Sequence, residues 1–155
     1  MTAYLSLGSN LGDRRQNLEQ AIESLLGVTN VSSFYETEPA EVRDQPWFLN
    51  CAVQIDTELT PGELLCVLQG IERRMGRVRD IPKGPRIVDI DILFYGDEIV
   101  NVPGLKIPHP RMAKRRFVLE PLAEIAPDLR NPETGRKITE MLAASEDTLA
   151  VRKAS

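Results

Sequence analysis

The apolar run at 2–7 predicts a first strand, ended by the turn cluster Gly8-Ser9-Asn10-Leu11-Gly12. Asp13 then stands as a helix N-cap with Gln16 three residues on, and Leu18, Ala21, Ile22, Leu25 and Leu26 recur at helical spacing as far as Gly27. A Gly-Ser-Asn turn before a helix can hold a phosphate on backbone amides, although a plain strand-to-helix connection is the simpler reading. Residues 28–35 read as a second strand, 36–46 as a polar loop and 47–59 as a third strand. In the third, Leu49, Cys51, Val53 and Ile55 alternate onto one face, with Phe48, Asn50, Gln54 and Asp56 opposite. Thr60-Pro61-Gly62-Glu63 supplies an N-cap, a first-turn proline and a capping-box glutamate. It opens a second helix with a buried stripe of Leu64, Leu68, Ile71 and Met75 and a stop at Gly76. Gln69 and Glu72 sit off that stripe, on a face leading into a basic loop at 77–85.

A further strand at 84–94 precedes a tight turn at Gly96-Asp97 and a short pairing segment at 98–102. Helical periodicity returns at 117–125 and 138–144, before a polar tail. The order β-α-β, β-α-β, then helices, is that of an α+β sandwich with helices on one face of a largely antiparallel sheet, a class that includes ferredoxin-like folds.

The strand Gly84-Pro85-Arg86-Ile87-Val88-Asp89-Ile90-Asp91-Ile92-Leu93-Phe94 carries two aspartates where apolar residues are expected. Strand alternation puts Asp89 and Asp91 on one face, about 7 Å apart at the α-carbons. Like charges on one face repel, so the pair calls for a cation or a basic partner. Hard carboxylate oxygens suit Mg²⁺, which takes one or two of them together with substrate phosphates. The phosphate side is supplied by Arg73, Arg74, Arg77, Arg79, Lys83 and Arg86 upstream and by Lys106, Arg111, Lys114, Arg115 and Arg116 downstream. A pair of solvated or arginine-paired carboxylates fits the same residues. Phe48 beside Asn50 offers a ring and a donor-acceptor amide to a flat heterocycle, or else marks an aromatic packed under a loop. The single histidine, His109, is held between prolines inside the second basic segment, where phosphate contact and a structural role both fit.

At 155 residues the chain is expected to fold as one domain, 1–155, without staples. Cys51 and Cys66 lack redox or zinc spacing, and no basic leader or membrane-length apolar run is seen, so a cytoplasmic protein is expected. A net charge of −4 and 5% aromatics argue against a nucleic-acid or single-strand binder. No feature calls for an oligomer, and a monomer without membrane partners is expected.

Gly-Ser-Asn-Leu-Gly-Asp at 8–13, Ser-Ser-Phe-Tyr-Glu-Thr-Glu-Pro at 32–39, Phe-Leu-Asn at 48–50, Gly-Arg-Val-Arg at 76–79, Gly-Pro-Arg-Ile-Val-Asp-Ile-Asp-Ile-Leu at 84–93 and Ile-Pro-His-Pro-Arg-Met at 107–112 together resemble the 6-hydroxymethyl-7,8-dihydropterin pyrophosphokinase family, in its order. The resemblance implies a ferredoxin-like α+β fold and a folate-biosynthesis enzyme that moves pyrophosphate from ATP to the dihydropterin hydroxymethyl group, releasing AMP. It also implies that Asp89 and Asp91 bind two Mg²⁺ ions. Phe48, Asn50 and Phe117 would hold the pterin, with backbone groups near Thr37 and Ala40. Gln69, Glu72, Arg77, Ile92, Lys106, His109 and Arg115 match nucleotide-contacting positions, and Arg79 and Arg86 match catalytic-loop arginines. Three positions differ from the common pattern: Lys83 replaces an aromatic residue in a loop one residue shorter, Phe48 stands for Tyr, and Pro110 follows His109 in place of an aromatic residue.

Two rivals share some of these features. Nucleotidyltransferases pair a Gly-Ser turn with a D-x-D strand, but at much closer spacing than the roughly 80 residues here. A ferredoxin-like regulatory module that binds nucleotide or RNA would leave the paired carboxylates among arginines unexplained.

Overall fold

The computed structural model describes residues 1–39, 44–76 and 87–154. Its strands are β1 (Thr2–Ser9), β2 (Val28–Val31), β3 (Tyr35–Thr37), β4 (Phe48–Asp56), β5 (Asp89–Tyr95), β6 (Val100–Val102), β7 (Leu105–Ile107) and β8 (Val151–Lys153). The helices are α1 (Arg14–Ser24), α2 (Pro61–Arg74), α3 (Arg116–Ile125) and α4 (Ile138–Ala143). The main sheet runs β5-β1-β4-β3-β8, with β2 also on β4, and β6 and β7 form a separate hairpin. Every pairing in the main sheet is antiparallel. The segment from β1 through α1, β2/β3, β4 and α2 to β5 is therefore a βαββαβ unit with the fourth strand beside the first and the first beside the third. This is the ferredoxin-like arrangement.

Alternation decides which face each strand buries. Ala3, Leu5 and Leu7 of β1, Leu49, Cys51, Val53 and Ile55 of β4, and Ile90 and Ile92 of β5 pack with Leu18 and Ala21 of α1 and with Leu64, Leu68 and Ile71 of α2. The opposite face is also covered. Ala52, Leu93 and Phe94 pack there with Val118, Leu119 and Leu122 of α3 and with Ile138 and Met141 of α4. Helices thus lie on both faces rather than one, because the later helices carry apolar stripes of their own that bury against the back of the sheet. A register shift opposite Tyr4/Leu5 lets Leu93 and Phe94 of β5 both join this second core.

Local signals held where they were local. Asp13 accepts the Gln16 N–H at 3.1 Å, and both bonds of the Thr60–Glu63 capping box form, at 2.9 and 3.2 Å. Four expectations change. Helix α1 stops at Ser24, so Leu26 falls outside its stripe and is 88% exposed. The strand expected at 28–35 is two, because Ser32 breaks it: its hydroxyl donates to the Ser33 carbonyl and accepts the Ala52 N–H. The segment after Gly96-Asp97 pairs with β7 rather than with the strand before the turn. The tail is not merely polar coil, since β8 adds to the β3 edge. The basic loop expected at 77–85 lies outside the described residues. Among those described, no helix is long and apolar enough to cross a membrane.

Leu18 is fully buried while Leu26 is not. Leu18→Ala should cost about 2–5 kcal/mol in urea denaturation, and Leu26→Ala less than about 0.5 kcal/mol. Equal losses would contradict the observed end of α1.

Candidate active site

β1 lies between β4 and β5, and its two registers bring distant segments side by side. Gly8 stands opposite Asn50 on one side and Asp89 on the other, and Ser6 stands opposite Ala52 and Asp91. Directly opposed residues of an antiparallel sheet point to one face. Asp89, Gly8 and Asn50 therefore form a single row on the face that α3 covers. With strands about 4.8 Å apart, Asp89 and Asn50 are separated by roughly 10 Å of backbone, with only a glycine between them.

That glycine is a steric requirement. A Cβ at Gly8 would come within 2.3 Å of Asn50 Oδ1 and 3.4 Å of Phe48 Cδ2. Asn50 Oδ1 thus lies over the bare backbone of Gly8. Its Nδ2 donates to the hydroxyl of Thr37, which is fully buried opposite Phe48. Thr37 thereby orients the amide so that its oxygen lies toward Gly8. Phe117 stands on the same side of the sheet, in the first turn of α3, with the Arg115 guanidinium 5.5 Å from its ring centre.

At the other end of the row, Asp89 and Asp91 are half-buried. Between them the Ile90 N–H donates to Glu72 Oε2 at 2.8 Å. Glu72 is 2% exposed, more buried than a place beside the α2 stripe implies, and it pins the two-aspartate backbone to α2. Among the described residues no group of three or more His, Cys, Asp or Glu converges. Two carboxylates on one face are nonetheless the donor set Mg²⁺ takes when phosphates complete its shell, so the residues fit that ion. His109 lies alongside β5, its N–H donating to the Leu93 carbonyl at 3.1 Å and its Nδ1 accepting from Arg111 N at 3.2 Å. Lys106 is exposed on β7, and Gln69 is half-buried on α2. The Ile92 side chain is buried on the opposite face, so any ligand contact it makes is through its backbone. Ala40, Arg77, Arg79 and Arg86 lie outside the described residues.

Side chains in and just after the N-terminal turn tie it to the segment that precedes β4. Asn10 Nδ2 donates to Gln45 Oε1 at 2.8 Å and to the Pro46 carbonyl at 3.0 Å. Arg14 donates to the Trp47 carbonyl at 3.1 Å and to Glu36 at 2.8 Å. Together they hold the segment that enters β4 at Phe48.

The sequence places Gly8 in the turn cluster expected to end the first strand, whereas β1 runs on to Ser9, and it does not single out Glu124. A glycine inside a strand pattern signals close backbone approach, but only if the strand is run past Leu7. Glu124 had no local signal: from α3 it accepts from Ser33 N at 2.8 Å, Ser33 Oγ at 3.1 Å and Tyr35 Oη at 2.6 Å. Burial alone would raise its carboxyl pKa, but the hydrogen bonds from Tyr35 and Ser33 and the charge of Lys153 outweigh it and hold the value below 4.5. Burial, then the hydrogen bond to Glu124 and the charges of Glu124 and Glu120, push the Tyr35 phenol upward.

Residues 4–127 match the sequence model of a family described as 7,8-dihydro-6-hydroxymethylpterin-pyrophosphokinase. The 2-amino-4-hydroxy-6-hydroxymethyldihydropteridine pyrophosphokinase of Pseudomonas aeruginosa is 44% identical over 146 residues, covering 91% of this chain and 90% of that one. Its Bacillus subtilis counterpart is 48% identical over 137 residues, 85% and 82% of the two chains. The folic acid synthesis protein fol1 of Pneumocystis carinii is 48% identical over 139 residues, which are 87% of this chain but 19% of that protein. The fold is similar to that in the crystal structure of Plasmodium falciparum HPPK-DHPS with pteroate, with a TM-score of 0.76 at 16% identity, covering 92% of this chain and 44% of the other. The chain thus spans most of the bacterial relatives and less than half of the two larger proteins.

Gly8→Ala should displace the Asn50 amide. The expected results are a loss of about 1–3 kcal/mol and a shifted Asn50 side-chain NMR resonance; an unmoved resonance would contradict the contact. For Glu124, a lowered folded pKa means stability that is present above 4.5 and lost as pH falls through the folded value. The stability gap between wild type and Glu124→Gln should therefore narrow in acid. A gap that stays constant from neutral pH downward would refute this.

Proposed function

The chain belongs to the 7,8-dihydro-6-hydroxymethylpterin-pyrophosphokinase family, and on that premise we propose that it transfers pyrophosphate from ATP to the 6-hydroxymethyl group of 6-hydroxymethyl-7,8-dihydropterin, releasing AMP, in folate biosynthesis. The observation that carries this reading is the row Asp89–Gly8–Asn50, which gives one face a carboxylate end and an amide end with a bare backbone between them. A pterin at the amide end would direct its hydroxymethyl arm along the Gly8 floor toward phosphates at the carboxylate end. Phe48 and Phe117 would hold the ring, and Asn50 Oδ1, oriented by Thr37, would accept from a ring N–H. Backbone groups near Thr37 and Ala40 would complete that subsite.

The hydroxyl oxygen forms a bond to the β-phosphorus as the bond from that phosphorus to the α–β bridging oxygen breaks; AMP leaves with that oxygen and the hydroxyl proton passes to solvent. Two Mg²⁺ ions held by Asp89 and Asp91 would supply neutralisation of the phosphates and acidification of the hydroxyl. Gln69, Glu72, Arg77, Ile92, Lys106, His109 and Arg115 would grip the nucleotide, Glu72 also by holding β5 in place. Arg79 and Arg86 would clamp non-bridging oxygens in two-pronged contacts. In this reading residues 1–155 act as one catalytic unit and as a monomer.

Mass spectrometry of products after mixing the protein with ATP, Mg²⁺ and the dihydropterin tests the proposal. AMP and pterin diphosphate in equal amounts are expected. ADP would point to an ordinary kinase, free pyrophosphate with a nucleotidylated product to nucleotidyl transfer, and no reaction to a binding module. Asp91→Ala should lower turnover at least about a hundredfold while leaving the unfolding free energy within about 1 kcal/mol, since it removes a ligand group and no core volume. A near-wild-type rate would sink the metal assignment.

A further inference from the structure

Helix α3 begins with an unsuitable cap. Its N-cap residue is Arg115, whose side chain makes no capping hydrogen bond, although the first amides of a helix need an acceptor from outside. The acceptor arrives from 31 residues downstream: Asp147 Oδ2 accepts the Arg116 N–H at 3.0 Å. The other oxygen of Asp147 accepts the Leu149 N–H at 3.0 Å, which folds the segment back on itself. The same segment then locks onto β3. Glu38 and Ala150 exchange two hydrogen bonds at 3.0 Å, Val151 pairs with Thr37, and the Ala154 N–H donates to the Phe34 carbonyl at 2.7 Å. One stretch, 147–154, therefore fastens the helix turn that carries Phe117 and the strand that carries Thr37.

We propose that Asp147 is a positioning residue for the dihydropterin subsite: it caps α3 from outside the helix and, through β8, sets Phe117 relative to the Thr37–Asn50 pair. The inference rests on the reading above of Phe117, Thr37 and Asn50 as dihydropterin contacts. A carboxylate at a helix N-terminus meets both unpaired amides and the positive end of the helix dipole. Without it the first turn opens more often, and Phe117, the second residue of the helix, moves with that turn. Asp147 itself touches no substrate.

The test compares full-length wild type, Asp147→Ala and Asp147→Asn, the last retaining an acceptor oxygen. Amide exchange at Arg116 and Phe117 should quicken in Asp147→Ala by about two- to thirtyfold, the range a lost N-cap spans. KM for the dihydropterin should rise by a similar factor, and KM for ATP less, since of the residues held in this way only Arg115 is assigned to the nucleotide. Asp147→Asn should recover only part of both effects, since its single acceptor oxygen can serve one of the two N–H groups that Asp147 holds. Unchanged exchange overturns the cap; faster exchange with unchanged KM, or an equal rise in both KM values, overturns the positioning role. An inactive wild-type protein overturns the functional reading and with it the named subsite, while exchange still decides whether Asp147 caps α3.

Discussion

The hydrophobic burial of one sheet face sets the register on which the site depends. Leu5 and Leu7 of β1, Val53 and Ile55 of β4, and Ile90 and Ile92 of β5 all pack beneath α1 and α2, each side chain contributing about 1.5–3 kcal/mol. Side chains alternate with period two, so a slip of one residue would drive Asp89 and Asp91 into that core and turn the isoleucines outward. The core therefore fixes the face on which Gly8, Asn50 and Asp89 stand.

What the core does not settle is the placement of elements around the row, and there the chain uses carboxyl side chains, mostly on backbone N–H groups. Glu72 holds β5 to α2, Glu124 holds Ser33 and Tyr35 to α3, and Asp147 holds the start of α3 to the tail. The consequence is a division among carboxylates. Glu72, Glu124 and Asp147 accept backbone N–H bonds, Glu124 also the Ser33 and Tyr35 hydroxyls, whereas Asp89 and Asp91 stand on the face where a ligand would lie. The second helical layer then does two things at once: it buries Leu93 and Phe94, and it delivers Phe117 to the side of the sheet that carries Phe48 and Asn50.

Much of this was legible in the sequence wherever the cause lies within a few residues. The Thr60–Glu63 capping box, the Asp13 cap and the shared face of Asp89 and Asp91 follow from short spacings that any fold containing those elements would respect. The alternation of Leu49, Cys51, Val53 and Ile55 likewise named a buried face correctly. The hidden parts share a different cause. The break at Ser32 depends on the Ala52 amide, the β8 strand on a free β3 edge, and the second helical layer on what the back of the sheet offers. Each is a contact between segments far apart in the chain, and local pattern carries no information about it.

The sequence by itself determined the βαββαβ order, the caps and the pairing of two aspartates on one strand face, because dihedral preference, capping and alternation act over less than about four residues. It also carried enough of the family's motifs, in order, to name the chemistry to expect. Only the tertiary structure decided that Gly8 is the floor between amide and carboxylates, that Thr37 orients Asn50, that Glu72 is buried behind β5 and that Asp147 caps α3. Those are consequences of sheet register and long-range packing, which exist only once the chain has closed on itself.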